Sequence, residues 1–240
     1  MRTQYDDIGH SYERVKREMP LARGPERATF EDLIAGCAGK SVLDLACGTG
    51  WYSRLTRRAG AAAVTGADIS AEMVGAAESA EAADPLGNRY LCADARHLGA
   101  VGEFDLVTAV WLLCYARDRA DLTAMARTAY DNLAPGGEYV GVEMNPRFDW
   151  SGPPATAYGL THRPDADFAG GKDLTVTLHV DPPVTFQACF WTEEPIRTAF
   201  ADAGFRHVEF RPATLPADAG DAFWDDFRRN PTIVGIRAVK

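Results

Sequence analysis

From residue 41 onward, short apolar runs alternate with amphipathic stretches. Ser41–Ala46 is apolar and stops at Gly48-Thr49-Gly50, as a buried strand does on entering a tight turn. Trp51–Arg58 then reads as a helix ended by Gly60, and Ala62–Ala67 as a second strand. Ser70 is placed to cap a helix over Ala71–Ala80. Arg89–Cys92 and Phe104–Leu112 read as the third and fourth strands. Ala120–Leu133 reads as a helix stopped by Pro135-Gly136-Gly137, and Glu138–Met144 as the fifth strand. Apolar strands alternating with helices of about 10–14 residues indicate an α/β fold with a parallel sheet covered on both faces.

After Met144 the rhythm breaks. Asn145–Gly171 is rich in Pro, Gly and Asp, with aromatics interspersed. Leu174–Val180 and Val184–Trp191 read as strands around Asp181-Pro182-Pro183, Thr192–Ala203 as a helix, and Val208–Arg211 and Thr232–Val239 as closing strands. The chain reads as one domain. Residues 1–40 form a helical cap, 41–144 the ligand-binding core, 145–191 an insertion over the substrate, and 192–240 the completion of the sheet.

The glycine turn after the first strand opens a helix, a geometry that suits dinucleotides and S-adenosylmethionine alike. The dinucleotide fingerprint wants a third glycine where this chain has Ser53. Asp44, at the end of the first strand, would repel a pyrophosphate, and it suits a ligand with an ammonium and a sulfonium. Asp68 follows the second strand and can accept from both ribose hydroxyls. Ile69 and Met73 are placed to flank an adenine ring, and Asp94, with the backbone of Ala95, to meet its amino group. Successive strand ends of one open sheet are where such ligands bind.

The runs Val42–Gly50, Gly66–Ser70, Cys92–Ala95, Phe104–Val107 and Leu133–Gly137 resemble, in order and spacing, the class I S-adenosylmethionine-dependent methyltransferases. The resemblance implies a Rossmann-like, seven-stranded, mostly parallel sheet with the last strand antiparallel. It also implies that Asp44, Ala46, Gly48 and Gly50 hold the methionine end, Asp68 the ribose, and Asp94 and Ala95 the adenine. The backbone at Val110 would approach the methionine amino group, and Tyr12 would close over the cofactor. Tyr5–Tyr12 and Phe223–Phe227 with Asn230-Pro231 are more narrowly similar to toxoflavin-type N-methyltransferases of natural-product pathways. That similarity implies N-methylation of a heteroaromatic metabolite. C- or O-methylation of a phenolic acceptor stands second. A nicotinamide-dependent oxidoreductase and a non-methylating enzyme of the same fold remain as other classes.

Methyl transfer from a sulfonium needs mainly alignment and exclusion of water; a base matters only when the nucleophile must shed a proton. His162, in the insertion, and Glu143, leaving the fifth strand, are the base candidates. Tyr5, Trp51, Tyr52, Tyr115, Asn145, Phe148 and Tyr158, with Glu143, are the candidate acceptor-binding residues, and Trp111 and Tyr115 suit core packing as well. No acidic cluster follows the fourth strand, so no metal is expected.

A formal net charge of −9 argues against nucleic acid as a partner and leaves a small molecule as the expected substrate. Five widely separated cysteines without a C-x-x-C pair suit reduced thiols. The N-terminus has no apolar signal core, and no run approaches the ~20 apolar residues of a membrane helix. A cytoplasmic enzyme off the membrane, monomeric or homodimeric, is the expectation.

Overall fold

A computed structural model describes residues 9–217 and 222–240, with the side chains of 9–12 outside that description. The chain enters through α1 (Gly9–Glu18), a π-helical turn (Ala22–Glu26) and α2 (Arg27–Leu33). The core follows as β1 (Ser41–Leu45), α3 (Trp51–Arg58), β2 (Ala63–Asp68), α4 (Ala71–Ala83), β3 (Arg89–Cys92), β4 (Phe104–Val110), α5 (Arg119–Asp131) and β5 (Leu133–Met144). Then come β6 (Leu160–Phe168), β7 (Gly171–Leu178), β8 (Val184–Trp191), α6 (Glu193–Ala203), β9 (His207–Pro212), α7 (Asp225–Arg229) and β10 (Ile233–Val239).

The main sheet has seven strands in the order β3-β2-β1-β4-β5-β10-β9. β10 runs antiparallel to both neighbours, while the pairs from β3 to β5 are parallel. The expected α/β architecture is borne out. Strand positions alternate between two cores. Val42, Leu106, Val140 and Val142 pack in one cluster with Phe30 and Ile34, and Leu43, Leu45, Val107 and Ala109 in the other with Met125 and Phe200. Local chemistry sets the helix starts. The Ser70 hydroxyl accepts from Met73 N at 3.2 Å, and Asp118 caps α5 by accepting from Asp121 N at 2.8 Å.

Three expectations shift. β4 stops at Val110 because Trp111 takes a left-handed backbone with φ 61°. β5 begins at Leu133, and Pro135-Gly136-Gly137 lie within it rather than between helix and strand, where the β4–β5 register slips between Phe104 and Leu106. The polar run Leu160–Phe168, read as loop, is a strand despite Pro164: it is the edge of the antiparallel sheet β6-β7-β8, where a missing N–H is tolerated. That small sheet is two-faced. Leu174, Val176 and Leu178 are buried, while Thr175 and Thr177 bond to polar partners on the other face.

Candidate active site

The order of the main sheet reverses between β1 and β4, where open α/β sheets bind ligands beyond the C-terminal strand ends. Backbone strain gathers there. Among the described residues the non-glycine positions with positive φ are Ala46 (55°) and Trp111 (61°), which follow β1 and β4 directly or within one residue. Each such conformation costs about 1–3 kcal/mol and is characteristic of functional sites. Gly48 (φ 52°) and Gly50 (φ 75°) continue the left-handed turn in the same loop.

The loop is anionic beneath its surface. Asp44 is 2% exposed and accepts from the hydroxyls of Ser53 at 2.5 Å and Thr108 at 2.8 Å. Burial pushes its carboxyl up to about 6, the two hydroxyls hold it down, and neighbouring Asp68 pushes it up again. Asp44 therefore supports the loop from below; at 2% exposure its side chain is not presented to a ligand as the expected direct contact required. Asp68 is half-buried, accepting from Gly48 N at 2.8 Å and Ser70 N at 2.9 Å. It thereby occupies one loop N–H that a phosphate could otherwise use, which disfavours a dinucleotide at this turn.

The other cofactor candidates divide. Ile69 is 39% exposed and offers an apolar face beside Asp68, whereas Met73 is 2% exposed and belongs to the core under α4. Asp94 lies just beyond β3, but its carboxylate is paired with Arg96 at 2.6 Å, and Arg96 also reaches Asp121 at 3.2 Å. A direct bond from Asp94 to adenine must share that carboxylate with the guanidinium. Ala95 packs against the core and Val110 is buried at the β4 terminus. Tyr5 and the side chain of Tyr12 lie outside the described residues. Tyr90 of β3 was not singled out from sequence, yet it walls the loop: a Cβ on Gly50 would lie 2.5 Å from its hydroxyl oxygen.

Beside Trp111 an apolar cavity opens between α1, the turn after β4 and the small sheet. Val15, Met19, Met144, Leu174, Val176 and Phe186 supply apolar walls. Polar groups at its surface are Lys16, Glu26, Tyr115 and His162, with the thiols of Cys114 and Cys189. His162 is half-buried, and burial pushes its imidazole down to about 4, so it is neutral at pH 7. Lys16 and Glu26 form a buried ion pair. Glu26 also accepts from Tyr52 Oη at 2.5 Å and Trp111 Nε1 at 2.9 Å. Burial alone would raise its carboxyl; Lys16 and these two donors outweigh that and hold it below the usual value. Neither member of the pair was visible from sequence. They stand ten positions apart, outside any motif, and their meeting depends on the π-helical turn that ends at Glu26.

The structure brings His162 and Tyr115 to the cavity and places the other described acceptor candidates elsewhere. Glu143 is 2% exposed and points under the β4 turn, accepting from Leu112 N at 2.7 Å and Leu113 N at 2.6 Å. That corrects its expected place as a base at the acceptor. Asn145 bonds Pro231 O at 2.9 Å and accepts from Arg147 N at 3.0 Å, which makes it a loop tie. Tyr158, 1% exposed, donates to Phe223 O at 3.0 Å, accepts from Phe227 N at 2.8 Å and stacks on Trp224. It is a core residue. Trp51 lies in the groove between α1 and α3 under Arg17, Tyr52 stands behind Glu26, and Phe148 packs edge-on against Trp150 and toward His162.

A methyltransferase-domain family model matches residues 42–137. The demethylmenaquinone methyltransferase of Thermus thermophilus is 39% identical over 164 residues, spanning 66% of this chain and 70% of that protein. A ubiquinone biosynthesis O-methyltransferase of Aromatoleum aromaticum is 36% identical over 154 residues, spanning 60% of this chain and 62% of that one. Among solved structures, an S-adenosylmethionine-dependent methyltransferase from Mesorhizobium loti superposes with a TM-score of 0.63 at 23% identity, over 90% of this chain and 98% of that one.

The fold, the strained strand-end crevice and these matches define a class: the chain belongs to the class I S-adenosylmethionine-dependent methyltransferases, and it is an enzyme. The residues fit that cofactor. Asp44, buried beneath the loop, and Asp68 lend it negative charge that would suit a cationic ligand, and Asp68 with exposed Ile69 would offer acceptors and an apolar face to a nucleoside. Among the described residues no group of three or more His, Cys, Asp or Glu side chains is arranged to hold a metal ion, and no helix is long and apolar enough to cross a membrane.

Asp68→Ala should remove the acceptor at the nucleoside and release Gly48 N–H together. We expect cofactor affinity to fall by about 1–3 kcal/mol, roughly 5- to 150-fold. Calorimetry with S-adenosylhomocysteine checks this, and unchanged affinity would refute the assignment.

Proposed function

We propose that this enzyme methylates a hydroxylated aromatic ring, of phenol or quinol type, held in the cavity beside Trp111. One observation carries the reading: an apolar, aromatic-walled cavity with a single buried ion pair lies directly beside the strand-end crevice, and Trp111 belongs to both. The two relatives, one named for demethylmenaquinone and one for ubiquinone biosynthesis, support a ring acceptor. N-methylation of a heteroaromatic, favoured by the narrower sequence similarity, has weaker support. Trp224 and Phe227 of that similarity pack around Tyr158 rather than at the cavity.

S-adenosylmethionine, when bound, supplies a methyl group already activated for displacement. The chain's part is to align the acceptor and exclude water. Apolar walls from β7 and α1 would flank the ring. His162, neutral and weakly basic, is an orienting hydrogen-bond partner and too weak a base to strip a phenol. Asp68, Ile69 and the glycine loop hold the nucleoside and methionine ends. The test is to incubate the protein with S-adenosylmethionine and matched panels of phenols, naphthoquinols and N-heteroaromatics, following S-adenosylhomocysteine and a product heavier by one methyl. Turnover confined to the N-heteroaromatics would overturn the reading.

A further inference from the structure

Lys16 and Glu26 are 4% and 3% exposed, in a cavity whose other walls are largely apolar. A buried ion pair is a poor stabiliser: the desolvation of two charges offsets most of their attraction, and apolar residues of similar size often serve stability as well. Here the pair is also elaborately held. Tyr52 Oη and Trp111 Nε1 both donate to Glu26, and the Lys16 ammonium lies 4.8 Å from the centroid of the Tyr52 ring. The carboxylate is thus fixed by three donors, and it in turn fixes the ammonium at the cavity wall. Its position at the end of a π-helical turn containing Pro25 is a second departure from regular structure at the same spot. Stability does not account for this arrangement, and recognition of a charged or strongly polar group does.

We propose that Lys16, held by Glu26, is the acceptor anchor, binding a ring oxygen of the acceptor in its ionised form. This rests on the ring-acceptor reading above and deepens it to acceptors that carry an ionisable hydroxyl. On binding, the hydroxyl proton leaves to water, Lys16 remains an ammonium, and the phenolate pairs with it. Among the described residues, charged and titratable groups around Lys16 include Glu26 from the π-helical turn, Tyr52 from α3 and Asp44 beneath the glycine loop. Across the cavity stand His162 from β6, Tyr115 and Cys114 from the turn after β4, and Cys189 from β8. His162 is neutral at pH 7, and burial raises Tyr115, Cys114 and Cys189 so that they too are neutral. Among the described lining residues the Lys16 ammonium is therefore the cation of this wall.

The probe is 4-nitrophenol, whose phenolate absorbs visibly, titrated with pH against the S-adenosylhomocysteine-bound protein. Wild type should bind it as phenolate, with the bound probe ionising at lower pH than free probe. Lys16→Met should abolish that lowering, and Lys16→Arg should restore part of it. Glu26→Gln leaves the ammonium without its counter-charge and should move the bound probe's ionisation further down, opposite to Lys16→Met. A merely structural pair would shift neither, or shift both in one direction. S-adenosylhomocysteine affinity should stay within about twofold of wild type in a variant that keeps its fold, as an anchor for the acceptor alone requires. No bound phenolate in wild type, or equal ionisation in wild type, Lys16→Met and Glu26→Gln, overturns the proposal. If a phenol is methylated and the ionisation does not move, the anchor fails while the ring-acceptor reading stands; if nitrophenolate binds and no ring acceptor is methylated, it is the reading that fails.

Discussion

Gly50→Ala should cost the enzyme most of its affinity for S-adenosylhomocysteine and a visible part of its thermal stability. Two independent effects act at this position. Gly50 sits at φ 75°, in the left-handed region where a Cβ meets its own backbone, at about 1–2 kcal/mol. An added Cβ would also stand 2.5 Å from the hydroxyl oxygen of Tyr90 and 2.9 Å from its Cζ, nearer than Cβ atoms come in folded proteins. The same edge of the ring also runs close past Gly66, where a Cβ would lie 2.8 Å from Tyr90 Cδ1. Overpacking of this kind adds about 1–3 kcal/mol. The sum, about 2–5 kcal/mol, falls on the loop that Asp68 holds by Gly48 N–H. Thermal melts and calorimetry with S-adenosylhomocysteine read both effects. Adding Tyr90→Phe removes the closest contact and should recover part of the stability while leaving the left-handed strain in place. Wild-type melting and affinity in Gly50→Ala would show that the loop tolerates a side chain and that the argument from Tyr90 is wrong.

The same loop shows why some of this enzyme was legible in its sequence. The run from Val42 to Gly50 encodes its structure locally: apolar residues to bury a strand, then glycines at the positive φ values of the turn. Asp44 and Asp68 fall at the crevice because strand ends of a parallel sheet converge by topology, but burial of Asp44 beneath the loop could not be read from that pattern. What could not be read depends on contacts between distant segments. Tyr90 shows nothing in β3 that marks it as the wall of a glycine loop. Tyr158 looked like an acceptor residue because it is aromatic in an irregular segment, but Phe223 O and Phe227 N, from far along the chain, claim its hydroxyl. Lys16 and Glu26 carry no periodic or motif signal, and Gly24-Pro25 between them resembles a helix stop rather than a π-helical turn. β6 was missed for a local reason, since a polar strand with a proline has neither alternation nor an apolar run. Polar anchors inside apolar cavities are the hardest features to find this way. Their identity depends on a cavity that several segments build together.

Glu143 provides the other large expected effect, and its sign separates structure from chemistry. The carboxylate accepts from Leu112 N and Leu113 N, which begin the turn carrying Cys114 and Tyr115 to the cavity. Burial pushes its carboxyl up to about 7 from an ordinary 4.5, despite the backbone donors that pull it down. A carboxyl raised on folding binds its proton more tightly in the native state than in the unfolded chain. Its contribution is therefore most favourable below pH 4.5, is lost as pH rises to 7, and is flat above that. The window corresponds to about 3 kcal/mol. Glu143→Gln keeps an acceptor for the two N–H groups and has nothing to titrate. The stability of wild type relative to Glu143→Gln should thus fall by about 3 kcal/mol between pH 4.5 and 7, read by denaturant titration at each pH. Asp44, raised to about 6, titrates in both proteins and cancels in the difference. Glu143→Ala leaves both N–H groups buried without a partner and should cost roughly 2–6 kcal/mol at low pH, a cost that shrinks as pH rises to 7 and the wild-type carboxyl loses its own contribution. Activity gives the decisive contrast. A base at the acceptor would lose turnover on conversion to glutamine, whereas a carboxylate that only shapes the turn allows Glu143→Gln to keep kcat within a few-fold. A loss of kcat by orders of magnitude in a Glu143→Gln protein with wild-type melting would return this residue to the chemistry.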